Sequence, residues 1–221
     1  KDGYFKKITP QSLRMSGEQK LKDGDEVRQH IETTNNVDLL FFTDQQKVYK
    51  AKAADFGDTK ASVLGDYIPA KLGMEEGESA RFMAVTRDYS GFLLFCFTNG
   101  KVAKVELSAY ATKTNRKRLL GAYSDKSTLS CILQLPEDSE VLFLNNQGRR
   151  LLVNTKDIPA KATRSTQGVQ VMTLRKNGLL MEAQQYREGM LEKPDRYRKA
   201  IPAAGALPSA EELQGEQMKL E

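Results

Sequence analysis

The feature that most constrains the fold is a pattern that recurs four times: an apolar strand, a tight turn and a strand with basic residues. The clearest copy is "GFLLFCFTNGKVAKVELSAY", residues 91–110, with its turn at Asn99-Gly100. Asn-Gly between apolar runs predicts a β-hairpin, because such turns need positive φ. The four turn positions, about 43 to 54 residues apart, are Gly3, Gln46, Gly100 and Gly148. This period is typical of propeller blades rather than of short solenoid repeats.

Fixed columns of residues follow each turn. Large apolar residues lie ten positions after it, at Leu13, Phe56, Tyr110 and Ile158. Four positions after the turn stands a lysine in three of the four copies, and we call Lys7, Lys50 and Lys104 the lysine column. The fourth copy has Leu152 there. A fixed spacing predicts that each copy occupies the same place in a repeated structure.

Between the hairpins lie further apolar segments, at 26–32, 80–88, 127–135 and 168–174. Each repeat thus supplies about four short strands, and nothing before residue 180 has the pattern of a long helix. We predict an all-β fold, a β-propeller or β-pinwheel of about four to six four-stranded blades.

The composition changes near residue 184, so we predict a domain over 1–183 and a C-terminal tail over 184–221. Three prolines interrupt the tail, at Pro194, Pro202 and Pro208. Ser209 with Glu212 three residues later predicts a short helix near 209–220, because this pair forms a capping box.

Composition excludes some classes and permits others. The net charge of +5 permits a polyanionic partner without requiring one. There is no apolar run of about 18 residues, so no membrane span is expected. The first residues do not resemble a signal peptide and read as the interior of a longer chain. Cys96 and Cys131 lie far apart in apolar runs, which favours reduced core cysteines in a cytosolic protein over a disulfide.

The motifs of common enzymes are absent from the sequence. It has no Gly-rich loop ending in Gly-Lys-Ser/Thr, no His-Glu-x-x-His and no Gly-x-Ser-x-Gly. His30 is the only histidine, and it has no cysteine nearby with which to bind zinc. We therefore predict no catalytic residue, metal site or cofactor in this chain.

The repeated pattern, with "GYFKKI" at its start and "TRSTQGVQVMTL" (163–174) near its end, resembles the C-terminal domain of the A subunit of bacterial type IIA topoisomerases, DNA gyrase and topoisomerase IV. The resemblance covers roughly residues 3–182. It implies a β-pinwheel whose blades exchange strands, and a basic outer rim that binds and bends DNA.

The resemblance also implies partners: double-stranded DNA, the ATPase B subunit, and the catalytic part of the A subunit. The parent enzyme would be an ATP-hydrolysing isomerase at the bacterial nucleoid in the cytoplasm. Its ATP, magnesium and catalytic tyrosine would lie outside this chain.

One segment departs from the gyrase pattern. Where gyrase has a glutamine- and arginine-rich, glycine-containing box, this chain reads "MSGEQKLKDGDE" (15–26). Gly17, Gln19 and Lys20 are present, but no arginine pair is. The acidic residues of the segment would repel phosphate, which favours a topoisomerase IV-like or a divergent gyrase-like role over tight wrapping.

Basic residues on the hairpins and loops are the candidate DNA contacts, because lysine and arginine neutralise phosphates without reading bases. The hairpin set is Lys7, Lys47, Lys50, Lys52, Lys101, Lys104, Arg149 and Arg150. The loop set is Lys113, Arg116, Lys117, Arg118, Lys161 and Arg164. Two alternatives stay open: a propeller that serves as a protein-interaction platform, and a diverged paralogue that no longer bends DNA.

Overall fold

The structure, a computed structural model, describes residues 1–113 and 116–218. In chain order, its strands are β1 (Tyr4–Phe5), β2 (Asp38–Thr43), β3 (Lys47–Lys52), β4 (Asp66–Tyr67), β5 (Ala80–Thr86), β6 (Phe92–Phe97), β7 (Lys101–Glu106), β8 (Arg118–Leu120), β9 (Leu129–Leu135), β10 (Glu140–Asn145), β11 (Arg150–Asn154), β12 (Ala160–Lys161), β13 (Val169–Gln170) and β14 (Leu180–Gln185). Its α-helices are α1 (Pro10–Met15), α2 (Ile68–Lys71) and α3 (Ala210–Met218). No helix within the described residues is long and apolar enough to cross a membrane.

The chain forms two compact units that interleave along the sequence. Unit 1 comprises Lys1–Tyr89 and Thr112–Ala122, and unit 2 comprises Ser90–Ala111 and Tyr123–Glu221. Unit 1 contains a first sheet, β1-β4, and a second sheet in the order β5-β2-β3-β8. Unit 2 contains a third sheet, β12-β7-β6-β9 with β13 also on β7, and a fourth sheet, β11-β10-β14. The predicted all-β fold is confirmed, but only the second sheet has the expected four strands.

Three hairpins lie where the repeat predicts them: β2–β3, β6–β7 and β10–β11 are antiparallel pairs. All four turn positions have positive φ, with 91° at Gly3, 53° at Gln46, 84° at Gly100 and 75° at Gly148. Close packing also requires a glycine at position 100, because a Cβ there would lie 2.1 Å from the carbonyl oxygen of Met172. The turn chemistry read from the sequence is therefore confirmed.

Each later hairpin is followed by a segment that returns to the preceding sheet, and we call these the lent segments. β4 follows the second hairpin and pairs with β1. β8 follows the third hairpin and pairs with β3. β12 and β13 follow the fourth hairpin and pair with β7. This is the strand exchange expected of a β-pinwheel, and it explains why residues 112–122 belong to unit 1.

An outer strand pairs with the first strand of each hairpin: β5 with β2, β9 with β6, and β14 with β10. The predicted segments 80–88 and 127–135 contain β5 and β9. In the fourth repeat, the predicted segment 168–174 contains β13, which is a lent strand, and the outer strand is β14 instead.

Residues 26–32 form no strand. Instead, the side chain of Gln29 donates to the Met83 carbonyl at 3.0 Å and accepts from its N–H at 2.7 Å. This segment therefore runs beside β5 without a backbone ladder.

Each unit has its own apolar core. That of unit 1 is built on Val37, Leu39, Phe41, Tyr49, Phe56 and Ile68. That of unit 2 is built on Leu94, Val102, Val141, Phe143, Leu151 and Val171. Burying one such side chain contributes about 1.5–3 kcal/mol. The intervening residues of these hairpins, such as Leu40 and Phe95, are buried as well. Few hairpin side chains therefore meet solvent.

The two cysteines face each other across β6 and β9 in the unit 2 core and are free thiols. A hydrogen bond to Cys131 and complete burial raise the pKa of the Cys96 thiol. A buried thiol of this kind is chemically inert. Cys96 thus lies in the core, as predicted, and Cys131 is half-buried beside it.

Candidate nucleic-acid interface

The lysine column ties each sheet to the repeat that follows it. In unit 1, Lys7 Nζ donates to the Ala53 carbonyl at 3.2 Å and lies 3.4 Å from the Asp58 carboxylate. In unit 2, Lys104 Nζ donates to the Thr155 carbonyl at 3.1 Å. Ala53 and Thr155 occupy equivalent places, since each begins the 3-10 helix after the next hairpin. The repeat of the column is therefore explained by bonds within the fold.

Lys104 is the most enclosed member of the column. Its side chain is 4% exposed, and its Nζ lies 4.4 Å from the centroid of the Phe92 ring. It also forms an ion pair with Asp138. The hydrogen bond from Lys104, together with one from Thr155, holds the pKa of the Asp138 carboxyl below its usual range. The expectation that this lysine lies on an exposed rim is wrong, because its ammonium group already has a carboxylate, a carbonyl and a ring as partners.

Lys50 is half-buried. Its Nζ donates to Thr112 Oγ1 at 3.0 Å and lies 4.9 Å from the centroid of the Tyr89 ring. Burial lowers the pKa of Lys50. Leu152, the exception in the column, packs instead with Leu142 and with the tail residues Leu191 and Tyr197. In the fourth repeat, the residue that replaces the column lysine is therefore apolar and packs against apolar side chains.

The residues directly after the turns are also engaged. Lys47 is 9% exposed, with its Nζ 2.7 Å from a Glu75 carboxylate oxygen and 3.5 Å from one of Glu78. Lys101 and Arg149 are half-buried. Lys101 Nζ is 3.5 Å from Gln167 Oε1, and Arg149 Nη1 donates to the Gly205 carbonyl at 2.8 Å. Lys47, like Lys104, lacks the expected exposure.

One of the two ion-pair partners of Lys47, Glu78, is a buried carboxylate that accepts several hydrogen bonds. Glu78 is 4% exposed and accepts from Thr43 Oγ1 at 2.6 Å, from the Tyr49 hydroxyl at 2.9 Å and from the Glu75 N–H at 3.0 Å. Burial opposes its ionisation, but these hydrogen bonds prevail and lower the pKa of Glu78. The turn of the second hairpin therefore lies beside the ionised carboxylate of Glu78.

The remaining candidates differ in exposure. Two are half-buried: Arg150 lies within β11, and Arg164 donates to the Ala109 carbonyl at 3.1 Å. Thr114 and Asn115, in the loop that carries several candidates, lie outside the described residues. The exposed candidates are Lys52, Lys113, Arg116, Lys117, Arg118 and Lys161.

In unit 1 the exposed candidates lie at the β3 edge of the second sheet. The Lys117 carbonyl accepts from the Lys50 N–H at 2.7 Å, and Arg118 stands opposite Tyr49. Residues 116–118 therefore run beside the strand that ends in Lys52. Glu75 lies 3.4 Å from Arg118 and offsets part of its charge. This edge brings basic residues of two separate sequence segments together.

The corresponding edges in unit 2 carry basic residues as well. Lys161 of β12 stands opposite Val105 and is exposed. On the fourth sheet, Arg198 of the tail bridges Leu152, and Arg196 and Lys199 are exposed beside it. Arg198 donates to both carboxylate oxygens of Glu140, at 2.7 and 2.9 Å. Acidic residues such as Glu192 and Asp195 are mixed with them, so the sequence alone does not mark this segment as basic.

The acidic segment 15–26 forms no strand. Gln19 accepts from Lys6 Nζ at 3.2 Å, and Asp25 accepts from the Asp2 N–H at 3.0 Å. Glu18, Asp23 and Glu26 are exposed and keep its surface acidic. In the described parts of the chain, no group of three or more His, Cys, Asp or Glu residues could hold a metal ion.

Comparison with known proteins gives three kinds of match. Residues 139–184 match the family described as DNA gyrase C-terminal domain, beta-propeller. The chain is 24% identical over 178 residues to the A subunit of DNA topoisomerase 4 from Staphylococcus aureus, a match that covers 78% of this chain and 22% of that protein. The chain therefore spans about a fifth of the length of this curated relative.

Solved structures show the same fold. The C-terminal domain of DNA topoisomerase IV has a TM-score of 0.77 at 20% identity, over 94% of this chain and 70% of that one. The E. coli ParC C-terminal domain has 0.64 at 14% identity, over 87% and 84%. The DNA gyrase A C-terminal domain has 0.61 at 17% identity, over 93% and 74%. The resemblance read from the repeats is thus confirmed: in sequence and in fold, this chain is similar to the C-terminal domains of the A subunits of topoisomerase IV and DNA gyrase.

Proposed function

We propose that this chain is a DNA-binding and DNA-bending accessory domain of a bacterial type IIA topoisomerase A subunit. The observation that carries the proposal is the exposed basic residues on the lent segments. These are Arg116, Lys117 and Arg118 on the second sheet and Lys161 on the third. The relatives named above include topoisomerase IV and gyrase A domains, which supports a DNA partner.

The chemistry of this surface suits a duplex backbone. Lysine and arginine on short strands and loops neutralise phosphates, release counterions and read no base sequence. Bending a short duplex costs on the order of 1–6 kcal/mol, which a row of such contacts can offset. The repeat supplies basic residues at equivalent edges, as a row of contacts requires.

The burial of two candidates supports a smaller set of phosphate contacts. Lys104 and Lys47 are buried in ion pairs. Taking Lys104 to a phosphate would break its ion pair with Asp138 and its bond to the Thr155 carbonyl. We therefore assign these two a positioning role and the exposed residues the contacts with phosphate.

The wider assignment follows from the same relatives. In the parent enzyme this domain would present a DNA segment to the catalytic core for ATP-dependent strand passage. ATP, magnesium and the B subunit would act there, in the bacterial cytoplasm. The acidic segment 15–26 favours a topoisomerase IV-like or divergent gyrase-like domain, since Glu18 and Asp23 would repel a tightly wrapped duplex.

The test is a salt titration with two charge-matched variants. The edge variant is Lys52→Gln/Arg116→Gln/Lys117→Gln, and the control is Lys20→Gln/Lys22→Gln/Arg28→Gln, three exposed basic residues of the acidic region of unit 1. Binding to a duplex of about 40 base pairs, shorter than the ~150 base-pair persistence length, is measured by fluorescence anisotropy. Salt runs from about 50 to 200 mM, where phosphate-directed affinity falls steeply.

The edge variant is expected to weaken binding and to reduce the log–log salt slope by about 0.9 for each lost phosphate contact. The control variant should retain the wild-type slope. Equal losses in both variants would mean that net charge, rather than this edge, binds DNA. Wild-type binding that ignores salt would overturn the proposal and favour the protein-interaction platform.

A further inference from the structure

The tail makes the same two contacts with the fourth sheet that lent segments make with the first and third. On the third sheet, Lys104 pairs in parallel with Ala160 and Val102 pairs antiparallel with Val169. On the fourth sheet, the equivalent residues Leu152 and Arg150 pair with Arg198 in parallel and with Ala206 antiparallel. The tail therefore takes the position of a lent segment.

The first sheet repeats the arrangement. Lys7 pairs in parallel with Asp58, and Phe5 pairs antiparallel with Asp66. In all three sheets the two partners in the lent chain stand eight or nine residues apart. The fourth sheet thus has the same acceptor geometry as the other two.

A glycine marks the same position in each of the three segments. Gly65, Gly168 and Gly205 precede the antiparallel partner, with φ of 89°, 73° and 71°. A Cβ on any of them would meet a backbone carbonyl oxygen of the acceptor strand, at 2.2, 2.1 and 2.6 Å. The close approach of the two backbones excludes a side chain, so the glycine is part of the recognition.

The tail adds anchors beyond the backbone. Tyr197 is fully buried beside Leu152 and Leu191, and its hydroxyl donates to Glu212 at 2.8 Å. Glu212 also accepts from the Ser209 N–H at 2.8 Å, which fixes the start of α3. Helix, ring and strand contacts therefore form one connected unit.

The tail reaches this position without a hairpin. The other lent segments of unit 2, β12 and β13, follow β10 and β11. The tail follows β14 directly and is joined to it by the exposed residues 187–190. A lent segment can therefore act separately from the hairpin that normally precedes it.

From this equivalence we propose that the edge of β11 that faces the tail is a strand-binding site and that residues 191–212 are its ligand, a separable peptide. The ligand is an extended segment with a buried tyrosine followed by a residue that pairs in parallel, and a glycine seven positions after that residue. The site holds this peptide by its own contacts, whether or not the chain is continuous at 187–190.

The test uses the full chain with a protease recognition sequence inserted after Gly189, an exposed position where an added Cβ would have open space within 4 Å. After cleavage the tail should remain bound in gel filtration. A labelled peptide of residues 190–213 should then exchange into the site and be displaced by the unlabelled peptide.

Variant peptides identify the contacts. Tyr197→Ala should compete at least about tenfold less well, because it loses a fully buried ring. Gly205→Ala should also compete poorly, since its Cβ would meet the Arg150 carbonyl oxygen. Lys199→Ala, exposed in the tail, is the matched control and should compete like wild type.

Hydrogen exchange in the uncut chain gives a second readout. The amides of Arg150 and Leu152 donate to the carbonyls of Ala206 and Tyr197, at 2.8 and 2.9 Å. Both amides should exchange faster in the Tyr197→Ala and Gly205→Ala chains and not in Lys199→Ala. The proposal would be overturned if the cut tail separated in gel filtration and the two amides exchanged no faster in the Tyr197→Ala and Gly205→Ala chains. Equal competition by all peptides would also overturn it.

Discussion

The lysine column and the lent segments carry the same kind of charge and put it to different uses. Lys104 bonds a carbonyl, a carboxylate and a ring inside unit 2, whereas Lys161, one strand away on β12, is exposed. A basic residue that recurs at a fixed place in a repeat can thus serve the fold rather than a ligand. The two regions differ in the burial of their lysines and in the partners of these lysines. Substitutions that add or remove a lysine in each region test this difference.

The largest effect is expected from Leu152→Lys, which places the column lysine in the fourth repeat. There it would enter the apolar cluster of Leu142, Leu191 and Tyr197. Burying an unpaired charge should destabilise unit 2 by about 4 kcal/mol. Urea unfolding followed by circular dichroism measures the loss. Leu207→Lys, at a residue 47% exposed, is the control. If Leu152→Lys left stability unchanged and tightened DNA binding, the lysine column would instead be a row of DNA contacts.

Next in size is Lys104→Met, which keeps the length of the side chain and removes its charge. Asp138 and the Thr155 carbonyl would lose their donor, at a cost of about 2–3 kcal/mol. The same substitution at the exposed Lys161 should change stability by no more than about 0.5 kcal/mol. The distinction between the two regions fails if Lys161→Met proves the more destabilising.

A smaller, pH-dependent effect is expected from Glu78→Gln. Its pKa is lowered in the folded protein, so the carboxylate contributes stability that is present above its unfolded pKa and is lost as pH falls through the folded value. The variant should be about 1–2 kcal/mol less stable at neutral pH, and the difference should shrink on acidification. Stability measured across pH, beside the exposed Glu76→Gln, checks this; a deficit independent of pH would assign the effect to packing.

The smallest change in stability is expected from Lys117→Gln, at an exposed lysine on the lent segment. The free energy of unfolding should stay within about 0.5 kcal/mol of wild type. The slope of DNA affinity against salt should fall by about one. Lys22→Gln is the charge-matched control. A stability loss comparable to that of Lys104→Met would show that the lent segment too serves mainly the fold.

The hairpins could be predicted because their signals are local. Asn99-Gly100 reports a positive φ, and the apolar run before it reports a buried strand. Short-range chemistry of this kind is contained in a few neighbouring residues. The same holds for Ser209 and Glu212, whose reciprocal bonds begin the tail helix where the capping box indicated.

The roles of the lysines could not be predicted because their partners are distant in sequence. Lys7 meets Ala53 and Lys104 meets Thr155, pairs separated by 46 and 51 residues. The column shows that a position is special without showing what it contacts. A repeated lysine that joins one repeat to the next leaves no local signature beyond the spacing itself.

Strand lending also implies an order in which the sheets form. At the fourth sheet, the side chain of Arg149 donates to the carbonyl of Gly205, 56 residues further on, and at the first sheet Lys7 donates to the carbonyl of Ala53. The first three sheets are completed only when the repeat that follows each of them has been synthesised. The fourth sheet is completed only when the tail has been synthesised. On the ribosome, unfinished sheets would therefore expose an open edge until the next repeat emerges, and such edges are sites of aggregation. Because contacts so distant in sequence form slowly, we expect the tail to join the fourth sheet after the hairpin of that sheet has formed.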